Sequence, residues 1–401
     1  MSIESRSPPP QLALRLKRAL GGRAGWGGFV LQILFVLMLA WIGYEIFVNA
    51  RANLANQRIT SGFGFLNNTA GFDVSQTLIP YSGSDTYTRV FLVGLLNTIL
   101  VSAIGIVVAT MIGFIVALGR LSPNWLLSRV AGGYVELIRN LPLLFQMLFW
   151  YLAVLAALPG PRQSISLFGA FFLSNRGLII PRPIAQAGLD PFLVALLLAV
   201  AASIILHHQA RRQLFEKGKA IKVWPIVLGL LIGLPLLTVL WFGVPFTVEM
   251  PELKGFNFAG GVRVIPELVA LVVALSTYTA AFIAEIVRAG ILSVHSGQME
   301  AGLSLGLGRG SALRLIVIPQ AMRVILPPLT NQYLNLTKNS SLAVAIGYPD
   351  LVSVFAGTTL SQTGQAIEII AITMGVYLAL SLLTSAIMSF YNWRLNRSFG
   401  A

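Results

Sequence analysis

The sequence is poor in the residues that most enzymes and metal sites require. It contains no cysteine and only three histidines among 401 residues. Disulfides, thiol chemistry and cysteine-ligated metals are therefore excluded, and a histidine-rich metal site is out of reach. Charged residues are also scarce, at 10% of the chain, whereas soluble domains carry about 25%. A chain with so little charge cannot cover a water-exposed surface.

Apolar residues, by contrast, make up 56% of the chain. This composition predicts a polytopic membrane protein. The sequence holds 28 Lys and Arg against 14 Asp and Glu, which gives a formal net charge of +14. Basic residues accumulate in the cytoplasmic loops of membrane proteins and set their orientation in the bilayer. The excess of basic residues is therefore interpreted as cytoplasmic loops and not as a nucleic-acid-binding surface.

Apolar runs long enough to cross about 30 Å of hydrocarbon predict eight transmembrane helices. Basic clusters place the tail 1–28 and the stretches 207–222 and 288–325 in the cytoplasm, with both termini inside. Segments 49–89, 159–189 and 244–264 are predicted to be external, although Arg162, Arg176 and Arg182 there run against the charge rule. The predicted spans are 29–48, 90–118, 134–158, 191–206, 223–243, 266–287, one within 326–356 whose ends the sequence does not define, and 367–391.

Small residues four positions apart predict close helix packing in two of these spans. The first set is Ala109, Gly113 and Ala117, and the second is Ala371, Gly375 and Ala379. The alternative is ordinary composition in a chain rich in alanine and glycine. Either interpretation concerns packing and not a particular activity.

The stretch after the sixth span carries the most specific pattern. Loops longer than about 15 residues are uncommon unless they are functional. Residues 298–307 predict a short amphipathic helix with Glu300 near its start, where the helix dipole favours an anion. Ala301, Gly302 and Gly306 leave one side nearly bare, so another protein could approach the backbone closely. Pro319 is predicted to stop the helix that follows.

This stretch resembles the EAA loop of ATP-binding-cassette importer permeases. The family pattern is Glu-Ala-Ala, a Gly after three residues, and Ile-x-Leu-Pro after nine more. The match consists of Glu300-Ala301-Gly302, Gly306 and Ile316-x-Ile318-Pro319, with Gly302 and Ile318 as small departures. The flanking segments SVHSGQMEAG and PQAMRVILPPLTNQYLNLTKNSSLAVAIGYPDL, with blocks 94–122 and 134–152, resemble the polar-amino-acid (His/Glu/Gln) branch.

The resemblance implies an all-α fold with the five-helix core of type I importers. Residues 90–158 would form the first part of this core, and 265–401 the second part with the cytoplasmic coupling loop. The chain adds an extra helix at 29–48, an external loop at 49–89, and an insertion at 159–264 that carries two more spans. This layout resembles the large permease subunit of general L-amino-acid importers.

The resemblance also implies a transporter subunit and not an enzyme. Such a subunit translocates amino acids, here a broad range of L-amino acids, across the bacterial inner membrane. The sequence has no Walker A motif, since Gly218-Lys219 is followed by Ala220 and the earlier glycine is missing. No cofactor is expected on this chain, and ATP and Mg would bind a partner ATPase that docks on the coupling residues Glu300, Ala301, Gly302, Gly306 and Pro319.

Two further partners are implied, namely a second permease subunit and a periplasmic binding protein that delivers the amino acid. The large-subunit resemblance favours a pore formed with a different permease chain, and a homodimeric pore stays open. Which amino acids are carried is also open, because the binding protein often sets selectivity.

Polar residues within or beside the spans are candidates for the substrate path, since a zwitterion needs hydrogen-bond donors for its carboxylate and acceptors for its ammonium group. The alternative for each is a hydrogen bond between helices. Glu285 and Arg288, three residues apart, predict a structural ion pair. The candidates for the path are Asn97, Thr98, Gln146, Thr277, Tyr278, Asn335, Lys338, Asn339 and Ser340.

Two other classes of protein are alternatives to the importer. A secondary transporter driven by an ion gradient usually carries ionisable residues at mid-membrane or broken helices in repeated halves. A membrane-embedded enzyme needs a metal or a nucleophile constellation. Neither pattern is present, so the sequence favours the importer subunit, with the secondary transporter as the alternative.

Overall fold

The computed structural model describes residues 26–56, 62–218 and 223–398. The predicted cytoplasmic tail lies outside the described residues up to residue 25. Helices dominate, and short strands occur only in one part of the described chain, between residues 165 and 264. The predicted all-α class therefore holds for the membrane part, and the insertion adds three small antiparallel sheets.

The helices are numbered in chain order. The long ones are α1 (Trp26–Asn56), α2 (Tyr87–Arg120), α5 (Leu189–Lys217), α6 (Trp224–Phe242), α7 (Pro266–Leu292), α10 (Ile318–Asn339) and α12 (Ala366–Ser398). The shorter ones are α3 (Trp125–Asn140), α4 (Leu143–Leu148), α8 (Ser296–Ser304), α9 (Arg309–Ala312) and α11 (Leu360–Thr363). Turns of π-helix cover Phe149–Leu155, Leu313–Val317 and Val352–Thr359, and turns of 3-10 helix cover Phe63–Asn67, Pro161–Gln163 and Ser340–Ile346.

Within the described residues, six helical segments are long and apolar enough to cross a membrane, or seven if the bent pair Trp125–Asn140 and Leu143–Leu155 counts as one. The described apolar part of α1, Val30–Ile46, is shorter than these. The predicted count of eight is therefore not confirmed. The six segments are Tyr87–Arg120, Leu189–Ala210, Trp224–Phe242, Pro266–Leu292, Arg309–Ile346 and Ala366–Leu395.

The predicted third span, 134–158, is not a single unbroken helix. The chain instead bends by 107° between Trp125–Asn140 and Leu143–Leu155. Leu141 is extended, with φ −98° and ψ 131°, and Pro142 precedes α4. A residue before proline is pushed out of the helical region, so the sequence Leu141-Pro142 forces the break.

The predicted role of Pro319 as a helix stop is also wrong. Pro319 is the second residue of α10, and the helical span Arg309–Ile346 runs through it without a stop. A π-helical turn directly before it changes the regular backbone hydrogen bonding, which accommodates a residue without an N–H. The π-helical turn Leu313–Val317 joins α9 to α10, so the span Arg309–Ile346 begins inside the stretch predicted to be a loop.

The packed centre of the bundle lies between α2 and α7. A Cβ added at Gly113 would come within 2.6 Å of Ile283 Cγ2, so only glycine allows this approach. Ala109 and Ala117 on the same face are fully buried, which confirms the predicted packing face in α2. The second predicted face is not used within this chain, since a Cβ at Gly375 would meet nothing within 4 Å.

The insertion folds into short antiparallel strands above the helix pair α5–α6. A four-stranded sheet has the order β1-β2-β3-β8, while β4 pairs with β5 and β6 with β7. Because β8 leads into α7 and α8 follows its other end, the sheet and α8 lie at opposite ends of one helix. The strands are β1 (Ile165–Leu167), β2 (Phe171–Ser174), β3 (Gly177–Ile180), β4 (Arg182–Ala185), β5 (Phe246–Glu249), β6 (Glu252–Lys254), β7 (Asn257–Ala259) and β8 (Val262–Val264).

Candidate functional site

The short helix α8 stands where the sequence predicts the coupling helix. His295 caps its start, with Nδ1 accepting a hydrogen bond from the Gly297 N–H at 3.1 Å. His295 is exposed, in agreement with its interpretation as a solvated residue. The Gln320 amide donates to Gln298 Oε1 at 3.1 Å, which connects α8 to α10. The loop is therefore a defined element and not a loose connector.

The other end of α8 is closed by Gly306. This residue adopts φ 82°, in the left-handed region that favours glycine. Its N–H donates to the Leu303 carbonyl at 3.0 Å, and the Leu307 N–H donates to the Gly302 carbonyl at 3.2 Å. This pair of bonds is a Schellman motif, which satisfies the last carbonyls and ends the helix sharply.

The three small residues of the motif do not share one face. Gly302 is buried, and a Cβ there would lie 2.7 Å from Ile316 Cδ1 and 3.2 Å from Ala312 Cβ. Gly302 thus lets α8 pack against its own chain. The side of α8 and its turn that is open to another protein carries Glu300, Ala301, Leu305 and Gly306.

An ion-pair cluster lies at the end of α7 that leads to α8. Arg288 Nη2 donates to Glu285 Oε1 at 2.6 Å, which confirms the predicted pair. Arg120, at the end of α2, donates to Glu285 Oε2. The cluster therefore joins α2 to α7 close to the coupling loop, through a partner that sequence spacing could not reveal.

Two of the predicted path residues, Asn97 and Thr98, lie in α2 and are fully buried. Asn97 Nδ2 donates to the Pro349 carbonyl at 2.8 Å, and Thr98 Oγ1 accepts from the Leu351 N–H at 3.0 Å. Asn97 Oδ1 is buried without a hydrogen-bond partner. These side chains connect α2 to the segment that follows Ile346, as expected if they serve helix packing. Asn97 Oδ1 is the acceptor that remains without a partner.

Gln146 lies at the bend between α3 and α4. Its Nε2 donates to the carbonyls of Ile138 and Leu141, both at 3.0 Å, while its Oε1 is buried without a partner. Thr277 and Tyr278 lie on α7, where Thr277 Oγ1 donates to the Val273 carbonyl at 2.7 Å. The structure does not bring these three residues together with Lys338.

Lys338, at the end of α10, lines a cavity of about 430 Å³ that faces α12. Ser381 Oγ in this cavity is buried without a hydrogen-bond partner. Asn335 is exposed, Asn339 is half-buried, and Ser340 is buried with Oγ donating to the Thr337 carbonyl at 2.7 Å. The polar lining residues of the cavity are Lys338, Ser341, Thr373, Tyr377 and Ser381.

Asp350, which sequence reasoning missed, is a fully buried carboxylate behind this cavity. Its Oδ1 accepts from the Ser353 N–H at 2.8 Å, and the Tyr377 hydroxyl donates to Oδ2 at 3.4 Å. Burial raises the pKa of Asp350, and the hydrogen bonds counteract this in part. An Asp directly before an apolar run is the sequence signal of a helix N-cap, and it could have identified the residue.

The fold is that of a helical membrane protein with several helices long and apolar enough to cross a bilayer. Within the described ranges, no group of three or more His, Asp or Glu side chains could hold a metal ion. Residues 105–397 match the family described as "Binding-protein-dependent transport system inner membrane component". The chain belongs to this family, whose members work with a separate ATPase, a soluble binding protein and a second permease subunit.

Relatives with assigned names cover almost the whole chain. The "Putative amino-acid ABC transporter permease protein YhdX" of Escherichia coli K12 is 54% identical over 367 residues, which is 92% of this chain and 93% of the relative. The "General L-amino acid transport system permease protein AapQ" of Rhizobium johnstonii is 49% identical over 91% of both chains. "Glutamate/glutamine/aspartate/asparagine transport system permease protein BztB" of Rhodobacter capsulatus is 38% identical over 96% of this chain and 97% of the relative. These relatives confirm the predicted family.

Proposed function

We propose that this chain is the permease subunit of an ATP-binding-cassette importer that carries a broad range of L-amino acids across the bacterial inner membrane. The observation that carries this proposal is the capped helix α8 at the end of α7, in a chain of this family. The names of the most similar relatives support the amino-acid cargo. The multi-pass chain would have both termini in the cytoplasm.

The proposed coupling site has two faces with different tasks. Glu300, Ala301 and Gly306 would contact the ATPase subunit, and Leu305, whose side chain is 82% exposed, offers an apolar anchor beside them. Gly302 would keep α8 pressed against Ile316 and Ala312. Motion of the ATPase would then move α8 as a rigid piece.

The movement would reach the pore by two routes. One is the three-residue connection, residues 293–295, that joins α7 to α8. The other is α9 with the π-helical turn Leu313–Val317, which leads into α10. Glu285 holds the end of α7 to Arg120 of α2. A two-state change needs such rigid contacts, because a soft loop would absorb the displacement.

The cavity beside Lys338 is the proposed binding position of the amino acid in the substrate path. The ammonium group of Lys338 would bind the substrate carboxylate, and the free Ser381 oxygen would accept a hydrogen bond from the substrate ammonium. Asn335, Asn339 and Ser340 would border this position. The other proposed path residues are Asn97, Thr98, Gln146, Thr277 and Tyr278.

The pore would be completed by a second, different permease chain, in keeping with the large-subunit resemblance. ATP and Mg would bind only the partner ATPase. A periplasmic amino-acid-binding protein would deliver the substrate to the face that carries the inserted sheet.

The test is affinity purification of this chain in mild detergent, followed by reconstitution of the purified complex into liposomes. We expect the ATPase and a second permease to co-purify, and uptake of radiolabelled L-amino acids to require both ATP hydrolysis and the binding protein. A non-hydrolysable ATP analogue is the control. Uptake by this chain alone, driven by an ion gradient, would establish the secondary transporter instead.

A further inference from the structure

An open pocket of about 350 Å³ lies in the inserted sheet, far from α8. Arg176, Asn257 and Arg263 form its polar wall, and Phe258 lies beside them. We call this the arginine pocket. Since α7 has 27 residues, at 1.5 Å per residue the pocket and the coupling helix lie about 40 Å apart along its axis.

The floor of the arginine pocket is made of backbone. Gly260 and Gly261 adopt φ values of 75° and 71°. A Cβ at Gly261 would lie 2.6 Å from the Ile180 carbonyl oxygen, so a larger residue could not hold β8 this close to β3. The glycine pair therefore adds no side chain of its own to the pocket that the two arginines line.

Each of the two guanidinium groups is held by a hydrogen bond that uses only part of its N–H donors. Arg176 Nη1 donates to Asn257 Oδ1, and Arg263 Nε donates to the Arg176 carbonyl at 3.2 Å. Each guanidinium has five N–H donors, so several donors of each remain for a ligand. The fork geometry of arginine matches a carboxylate in a bidentate arrangement.

No carboxylate of the described chain forms an ion pair with these arginines. The ion pairs found there are Arg120–Glu285, Arg288–Glu285 and Lys254–Glu252. Residues 159–188 and 243–265 together contain five basic and two acidic residues. Glu249, which lies close to Gly260, makes no ion pair with either arginine. The pocket thus has two lining arginines that are not in an ion pair, with the Glu249 carboxylate beside it at Gly260.

We propose that the arginine pocket receives an Asp or Glu side chain of the soluble binding protein when that protein docks. The proposal rests on the proposed importer function and adds the place and chemistry of one docking contact. A free amino acid fits less well, because its ammonium group would need an acceptor. Asn257 Oδ1, the side-chain acceptor in the lining, already accepts from Arg176.

The experiment measures ATPase stimulation of the complete reconstituted complex by its purified binding protein. We expect R176Q/R263Q to raise the binding-protein concentration for half-maximal stimulation by about tenfold, with unchanged maximal and basal ATPase rates. R176K/R263K keeps the charge but loses the fork, so a smaller rise is expected. Arg182→Gln, an exposed arginine of β4 outside the pocket lining, is the matched control and should change little.

Three results would overturn the docking contact. One is an unchanged half-maximal concentration in R176Q/R263Q. Another is an equal rise in Arg182→Gln, which would indicate general electrostatic steering. The last is binding of free radiolabelled L-glutamate to the complex without binding protein, lost in R176Q/R263Q, which would make the pocket a substrate site. Failure of the importer function itself would appear differently, as a wild-type complex whose ATPase does not respond to the binding protein.

Discussion

Replacement of Gly306 by valine tests the coupling helix most directly. Gly306 adopts φ 82° in the Schellman motif that ends α8, and a Cβ there would meet nothing within 4 Å. The penalty therefore comes from the backbone, since a left-handed L-residue costs about 1–2 kcal/mol, and more for a β-branched one. A loss of this size lowers the population of the native cap by roughly 5–30-fold.

We expect Gly306→Val to abolish uptake in the reconstituted complex while membrane insertion and purification yield stay normal. The backbone penalty and a bulky side chain at the docking surface act together. Gly306→Asn separates the two effects, because asparagine tolerates the left-handed region. A partial recovery with asparagine would measure the backbone contribution, and equal loss in both variants would assign the effect to the docking surface.

Gly308→Val is the matched control. Gly308 lies two residues further on, has an ordinary φ of −64°, and also has no atom within 4 Å of an added Cβ. We expect this variant to fold with little strain. Uptake at the wild-type rate in Gly306→Val would refute the coupling role, and loss of the ATPase from the purified complex would locate the defect at the docking step.

The remaining predictions concern the bundle itself. Gly113→Val should lower the free energy of unfolding in detergent by about 1–3 kcal/mol, because its Cβ would lie 2.6 Å from Ile283 Cγ2. The control Gly233→Val has open space around its Cβ and should leave the free energy of unfolding unchanged. Equal stability of the two variants would contradict the packing argument. Glu285→Gln replaces the charged acceptor shared by Arg120 and Arg288 with a neutral amide. It should lower the free energy of unfolding by roughly 1–2 kcal/mol, seen as a lower melting temperature at low salt that converges with wild type at high salt. Asp350→Ala should cost about 1 kcal/mol through loss of the cap to Ser353, and Asp350→Asn, which keeps an acceptor oxygen, should cost clearly less; an equal loss in both would assign the effect to charge.

Most of the membrane-spanning helices could be predicted because a bilayer allows few solutions. A span must be apolar over a fixed length and must satisfy its own backbone hydrogen bonds, so α2, α7 and α12 are readable from hydropathy alone. The short helix α8 could also be predicted, because its small residues, its closing glycine and its charge occur at a fixed spacing; its coupling role stays a proposal. The pair Glu285–Arg288 followed from helical spacing.

Other features depended on contacts between distant residues. Arg120 and Glu285 are 165 positions apart, and Gly302 faces inward only because Ile316 and Ala312 lie beside it. The inserted strands are 3 or 4 residues long, too short for a reliable alternating pattern. Pro142 and Pro319 are the same residue type in different surroundings. The helix breaks just before Pro142, whereas it continues through Pro319.

The amino-acid sequence by itself thus determined that the chain spans a membrane, which family it resembles, and where the short helix α8, the proposed coupling helix, lies. These properties depend on composition and local spacing, which need no partner in space. The tertiary structure decided which face of that helix is free, how the polar residues divide between packing and an open cavity, and that three scattered residues of the insertion form one arginine pocket. Such properties depend on which distant segments meet, and only the folded chain brings them together.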